Sequence, residues 1–360
     1  MKKLLILIIL SLPVLFGCVR KDTLEEESGF TGWAVGDVAD GYGSILKTTD
    51  DGFHWIRQGS ISIVPGVNLY DISATNDKEV WVVGDSLSFP VVSGFDHISA
   101  DTLPYGLILF SEDGGYHWSR MIDTTLLRDI GLRSVNARSS KIWIAGEKGT
   151  VIYSANKGMT WTRPLPDTMP QVTFNALTVK GQSRIWIAGN RYDSTGTFLQ
   201  PVLIISMDGG VTWLVTTSFS TYPIHDIFAL NDTTVYMVSG TSILRSFDAG
   251  LTWIEVYNAG ALQILSISCD STSTWASGGG GMVYTITKGI WKVIHPYAMD
   301  FTFHRITMSQ GTRVWAIGSC SDPTRKAVII YSRNAGQSWY IQNSPVNTVL
   351  RSSSFVSGTR

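Results

Sequence analysis

The chain has 360 residues, of which 44% are apolar and 16% charged, with a formal net charge of −1. That is ample material for a large core and too little charge for a disordered chain, and it offers no basic excess for nucleic acid. Length alone fits two or three domains of about 150 residues, unless an internal repeat overrides that estimate; 35 glycines and 13 tryptophans point instead to many short strands and tight turns.

The first segment reads as an export signal. Lys2 and Lys3 precede an apolar run from Leu4 to Phe16, which is shorter than the roughly 20 residues a membrane span requires. The run closes on Leu15-Phe16-Gly17-Cys18, which resembles a bacterial lipobox. On that reading residues 1–17 are a lipoprotein signal peptide, and Cys18 carries the lipid as the mature N-terminus. Residues 18–30 form a polar, charged tether, with Glu25, Glu26 and Glu27 within it.

Two short patterns then alternate to the end of the chain. One is an apolar strand Trp-x-x-Gly, at Trp33–Gly36, Trp81–Gly84, Trp143–Gly146, Trp186–Gly189, Trp275–Gly278 and Trp315–Gly318, with a degenerate copy from Tyr236 to Gly240. The other is Ser/Thr-x-Asp/Asn-x-Gly-x-x-Trp, beginning at Thr48, Ser111, Ser154, Ser206, Ser246 and Ser332, with a worn copy, one residue short, from Thr285 to Trp291. Seven copies of each make fourteen aromatic positions. Tyr236 fills one, and the remaining thirteen hold every tryptophan of the chain.

The second pattern is the Asp-box. Its Asp or Asn accepts backbone N–H groups of its own turn, its Ser or Thr braces that turn, its Gly takes positive φ, and its Trp starts the next strand. Asp50, Asp113, Asp208 and Asp248 are therefore turn residues rather than catalytic acids, and His54 and His117 are structural substitutes for the Thr or Ser of other copies.

Each repeat contains four strand-like pieces, A to D, which in the second copy are Leu69–Ala74, Val80–Gly84, Leu107–Phe110 and His117–Met121. Four antiparallel strands make a blade that covers its faces only by radial stacking, and repeat spacings of about 40 to 60 residues suit blades with loop insertions. The predicted fold is all-β, a seven-bladed β-propeller over residues 31–360. The first repeat starts at its B strand, so residues 349–356 are expected to supply strand A of the first blade and close the ring. Cys269 and Cys320 fall at opposite ends of strands, too far apart for a bridge, and read as free thiols.

In such blades the A–B and C–D turns share one face and the B–C and D–A loops the other. The boxes commit the first face to structure. The second carries long B–C loops at Asp37–Ser44, Asp85–Gly106 (with Phe89, Pro90, Phe95, His97 and Tyr105), Asn190–Pro201 and Ser319–Lys326. Aligned A strands place Tyr70, Arg133, Asn175, His225, Leu265, His304 and Arg351 at one position, a candidate binding ring at the mouth of the central channel. Asp37, Asp85, Glu147 and Asn190 follow the Trp-x-x-Gly strands and are read as turn residues.

The combination of Leu-x-x-Ile/Val, Trp-x-x-Gly and Asp-box resembles the photosystem II assembly-factor-like propeller (BNR repeat) family, over essentially all of residues 31–360. The resemblance implies a non-enzymatic protein-binding or assembly scaffold, here an envelope lipoprotein, membrane-anchored through Cys18 on the periplasmic side or the outer-membrane surface. It implies no cofactor, metal or nucleic acid, and a monomer. The family's arginine-rich patch has only Arg133, Arg305 and Arg351 as candidates. The alternative is a sialidase-like glycoside hydrolase or carbohydrate-binding lipoprotein, since such propellers also carry Asp-boxes. The chain lacks an Arg-Ile-Pro motif at the start of the propeller, and Asp71 and Asp226 are a conceivable carboxylate pair that no local motif supports.

Overall fold

The computed structural model describes residues 29–58, 66–86, 105–121, 127–166, 168–217, 219–287, 289–296 and 301–357. The signal segment, Cys18, most of the tether, and Phe89, Pro90, Phe95 and His97 of the longest B–C loop lie outside them.

Seven antiparallel sheets follow one another along the chain. Blade 2 runs A to D as Val67–Ala74, Val80–Ser86, Tyr105–Ser111 and Ser119–Arg120, and blade 4 as Val172–Lys180, Arg184–Tyr192, Phe198–Ser206 and Leu214–Thr216. Blade 5 comprises Ile224–Ala229, Val235–Ser239, Ser242–Ser246 and Ile254–Asn258. Blade 6 comprises Ile264–Cys269, Thr274–Gly278, Val283–Thr287 and Ile290–Ile294, and blade 7 Phe301–Ser309, Arg313–Cys320, Ala327–Ser332 and Tyr340–Gln342. Blade 3 has Leu132–Arg138, Lys141–Gly146 and Val151–Ser154, and its fourth strand is reduced to a bridge between Tyr153 and Thr162. Pro164 and Pro166 follow that bridge closely and supply no backbone donor to a longer ladder.

Blade 1 takes its inner strand from the far end of the chain. Leu350–Ser357 pairs antiparallel with Phe30–Ala39, which continues into Tyr42–Thr48 and Ile56–Gln58. The closing strand is packed as well as paired: Leu350 is fully buried, and Phe355 stacks on Trp315 of blade 7 at 3.9 Å.

The box turns are built as their sequence requires. In six of them the Ser or Thr Oγ accepts the glycine N–H at 2.7–2.8 Å, and the Asp or Asn Oδ1 accepts the N–H four residues on at 2.8–2.9 Å. His54 and His117 place Nδ1 against the box carboxylate at 2.6 and 2.5 Å, where Thr212 and Thr252 place a hydroxyl at 2.5 and 2.6 Å. Those threonine bonds hold the Asp208 and Asp248 carboxyls down at about 2. The worn copy in blade 6 is one residue short because its strands meet in a tight hairpin, Thr287 opposite Ile290. Box and A–B turn share a face: the turn N–H of Asp51, Gly114, Lys157, Gly209, Ala249 and Ala335 donates to an A–B carbonyl or, in blade 1, to that of Phe30.

Trp213 and Trp253 donate Nε1–H within their own boxes, to Gly210 and Gly250, while the B-strand tryptophans link each blade to the next. The B-strand tryptophans are at most 4% exposed. Trp33, Trp186 and Trp315 donate Nε1–H to Gly114, Ala249 and Asp51, each in the box of the next blade. Trp81, Trp143 and Trp275 meet the next blade's box tryptophan edge-to-face at 6.0–6.3 Å. Each such pair contributes about 1 kcal/mol beyond its buried area.

Two loops are shorter than expected because their strands continue outward. Asp37–Ser44 is a hairpin turning at Asp40-Gly41, and Asn190–Pro201 narrows to residues 193–197, closed by Asp193 Oδ1 on the N–H groups of Thr195 and Thr197. Cys269 and Cys320 are both free, and burial pushes the Cys269 thiol up to about 12.

Because the closing strand supplies the inner edge of blade 1 and packs on blade 7, deleting residues 345–360 should abolish the single cooperative unfolding transition. Calorimetry would show a broad, low-temperature melt; an unchanged sharp transition would refute this closure.

Candidate functional site

The seven ring positions share one backbone device. In every A strand the residue at that position is skipped by the ladder: Tyr70, Arg133, Asn175, His225, Leu265, His304 and Arg351 are each the extra residue of a β-bulge. A bulge bends the strand and re-aims one side chain. It also explains the recurrent glycine of the B strand. A Cβ on Gly36, Gly84, Gly146, Gly189, Gly278 or Gly318 would lie 1.9–2.3 Å from the carbonyl oxygen two residues before the bulged one. No side chain fits there without moving the backbone. Blade 5 departs from the rule: Ser239, not Gly240, faces Ile224, and its Oγ donates to Tyr222 O at 2.7 Å.

All seven ring side chains are half-buried, and in four blades the ring residue contacts the residue just after the B-strand glycine of its own blade. Arg351 makes a bidentate pair with Asp37, 2.8 Å on both bonds. Tyr70 OH donates to Asp85 Oδ2 at 3.1 Å. Arg133 pairs with Glu147, reaches Asp85 at 3.8 Å and lies over the Tyr70 ring at 3.9 Å. His304 Nε2 is 3.1 Å from Ser319 Oγ. In blade 4, Asn175 and Asn190 both donate to Ile224 O of blade 5, at 3.2 and 3.0 Å. In blades 5 and 6 that following residue is Gly240 or Gly279; there the ring holds His225, whose buried Nε2 has no hydrogen-bond partner, and the apolar Leu265. The acidic residues after the B strands are thus partners of the ring, not turn residues as their recurrence implied.

Below the ring the next A-strand residues form a hydrogen-bonded belt across blade boundaries. Asp71 accepts Ser352 Oγ at 2.6 Å from blade 1, and Ser134 Oγ and Val135 N–H at 3.0 and 2.9 Å from blade 3. Asp226 accepts Ser266 Oγ and Ile267 N–H at 2.8 and 3.0 Å from blade 6. Arg305 of blade 7 spans the axis to both acids, 3.3 Å from Asp226 and 4.0 Å from Asp71. Burial pushes the Asp226 carboxyl up against the pull of Arg305. The two acids face the shared axis, but each is engaged by its neighbours and by one guanidinium. Among the described residues no group of three or more His, Cys, Asp or Glu could hold a metal ion.

The ring is therefore polarised. Blades 7, 1, 2 and 3 present a continuous polar arc of His304, Arg351, Tyr70 and Arg133. Its described charges are two arginines against three carboxylates, Asp37, Asp85 and Glu147. Burial raises the Asp85 carboxyl, with Arg133 opposing. Burial, with Arg351 beside it, lowers His304 to about 4, leaving the imidazole neutral at neutral pH.

Two outcomes follow. Asp226→Ala strands the Ile227 and Ile267 N–H groups and leaves Arg305 only its longer contact with Asp71, and should cost about 3 kcal/mol in urea unfolding. The unfolded chain protonates His304 near its ordinary 6.5, well above the folded value of about 4, so the stability of the neutral form is complete above 6.5 and is lost as pH falls towards 4. His304→Gln should flatten Tm against pH across that window; an unchanged slope would assign it to other groups.

The chain matches no protein-family model and no curated protein. Among solved structures it is similar to YCF48 from Cyanidioschyzon merolae, with TM-score 0.58 and 16% identity over 91% of this chain and 96% of that one. YCF48 bound to D1 peptide gives TM-score 0.53 and 15% identity, covering 77% and 82%. An ancestral GH74 enzyme gives 0.52 and 15%, covering 80% of this chain and 38% of the enzyme. At these identities the likeness supports the fold seen in the seven sheets and does not by itself fix a function.

Proposed function

We propose that this chain is an envelope lipoprotein, held to its membrane through Cys18, that binds a protein segment across the B–C/D–A loop face as an assembly or binding scaffold without catalysis of its own. The observation that carries the reading is the ring of bulged A-strand residues. The fold repeats the bulge seven times but leaves its side chain free to differ, and all but Leu265 are polar, aromatic or basic. YCF48, which shares the fold, has been captured with a bound peptide. Here the ring arginines are already neutralised by their own blades. Recognition then falls to hydrogen bonding and shape along the His304–Arg351–Tyr70–Arg133 arc, with a basic or neutral segment favoured over an acidic one.

The glycosidase alternative draws on Asp71 and Asp226. Both accept backbone and hydroxyl donors from the next blade and share Arg305. That arrangement suits a structural brace: burial raises Asp226, but Asp71 beside it is held by donors from both neighbouring blades and is not a free base.

The test is capture of partners from native membranes with the lipidated protein, followed by Arg133→Ala and Arg351→Ala in one chain. Capture should be lost while Tm shifts little, since exposed or half-exposed pairs contribute at most about 1 kcal/mol each. Undiminished capture of the identified partner ends the ring as the site, and turnover of sialosides or β-glucan oligosaccharides overturns the non-catalytic reading.

A further inference from the structure

The box face carries a feature that the turns do not require. The residue after the box glycine is Phe53, Tyr116, Met159, Val211, Leu251 or Ile290 in six blades, and Gln337 in the seventh. All six apolar side chains are 59–80% exposed. Five of these turns are closed by the Ser/Thr and Asp/Asn bonds described above, and that of Ile290 by backbone pairing with Thr287, so a polar side chain would serve the turn equally well. Exposed apolar residues scattered singly are ordinary. Here they recur at one register position, at the tips of successive C–D turns, and so form a crown around one face. Blades 4 and 5 widen it with Phe247 and, at the start of their D strands, Leu214 and Ile254.

The chain enters the domain on this same face. Phe30 N–H donates to Asp51 Oδ1 of the first box at 2.7 Å, and Asp51 N–H returns a bond to Phe30 O. Gly29 lies against Thr49 and Asp50 of that box. Cys18 stands eleven residues earlier, so the peptide between them reaches at most about 40 Å. A cleft of about 160 Å³ opens on this face between the A–B turns of blades 3 and 4, lined by Asn136, Arg138, Lys141 and Gln182 among others. Lys141 Nζ lies 3.2 Å from Gln182 Oε1. Arg138 Nη1 donates to Val179 O at 3.3 Å, so both cations of the cleft are held there by neutral acceptors and suit the charge of a phosphate headgroup.

We propose that the box face docks on an anionic phospholipid surface, the crown inserting at the headgroup–acyl boundary and Arg138 and Lys141 meeting headgroup phosphate. This rests on the Cys18 anchor of the proposed function and extends it from tethering to a fixed orientation. Separated apolar tips around a ring suit a bilayer, into which each side chain inserts independently, better than a protein partner, which needs a contiguous patch.

The test uses the full-length protein reconstituted into phosphatidylglycerol vesicles. A nitroxide is placed at Val211→Cys on the crown, or at Ser194→Cys on the opposite face, in a Cys320→Ser background, Cys269 being buried. The crown label should become several-fold less accessible to an aqueous relaxant and more accessible to oxygen, while the Ser194→Cys label stays in water. Serine at Phe53, Leu251 and Ile290 together should return the crown label to water. Equal aqueous accessibility of the two labels overturns the docking, and equal insertion into phosphatidylcholine overturns the anionic preference. The mass of the N-terminal peptide reads the anchor separately. A lipidated Cys18 with a wet crown sinks the docking alone; an unmodified Cys18 with an inserted crown sinks the anchor alone.

Discussion

The molecule depends on a steric exclusion at the inner edge of each blade. Bulging strand A tips one carbonyl onto the Cα of the facing B-strand residue, and the oxygen then occupies the space a Cβ would need. Six of the seven blades answer with glycine. The bulge removes one side chain per blade from the ladder and turns it towards the end of strand B. The backbone device is constant while its side chain is free, so one position per blade can diversify without disturbing the sheet. This is the physical basis for placing specificity at the mouth.

Cohesion between blades comes from a second device. The B-strand indole sits under the box of the following blade, so that motif finds its partner only in the neighbouring repeat. A repeat whose anchor lies in its neighbour gains little from folding alone, which favours one cooperative ring over a sum of independent blades. Closure obeys the same rule: Trp315 of blade 7 donates to Asp51 of blade 1, and Phe355 of the closing strand stacks on that indole. The belt through Asp71, Ser134, Asp226 and Ser266 adds a tie nearer the axis, where the blades are closest.

The architecture was legible because indoles and box turns are costly to scatter, and thirteen tryptophans in fourteen equivalent places leave little freedom. The ring positions were legible from alignment of the A strands. Their partners were not. Asp37, Asp85 and Glu147 recur after the B glycines, which reads as turn chemistry. Only the bulge, invisible in periodicity, aims Arg351, Tyr70 and Arg133 back at them. Strand continuation past Asp37 and Asn190 was missed because Gly, Asp and Asn there carry loop composition while still pairing. The crown was readable as an apolar residue after six of the seven box glycines, but its exposure emerges only once the turns are built.

Mouth and box face divide the molecule's labour. On the mouth side the named carboxylates outnumber the arginines, and every one of those arginines is paired: each ring arginine has carboxylates within its own or the adjoining blade, and Arg305 has two. Such pairs hold side chains in fixed positions rather than projecting a long-range field, so they favour discrimination over steering. The box side differs: its apolar tips stand beside the box carboxylates, and Arg138 and Lys141 line one cleft where, among the described residues, neutral acceptors hold them. With that side against lipid, the mouth opens away from the bilayer. A partner would then be met at its extramembrane segments, by a surface whose orientation is set by the turns that also hold the blades together.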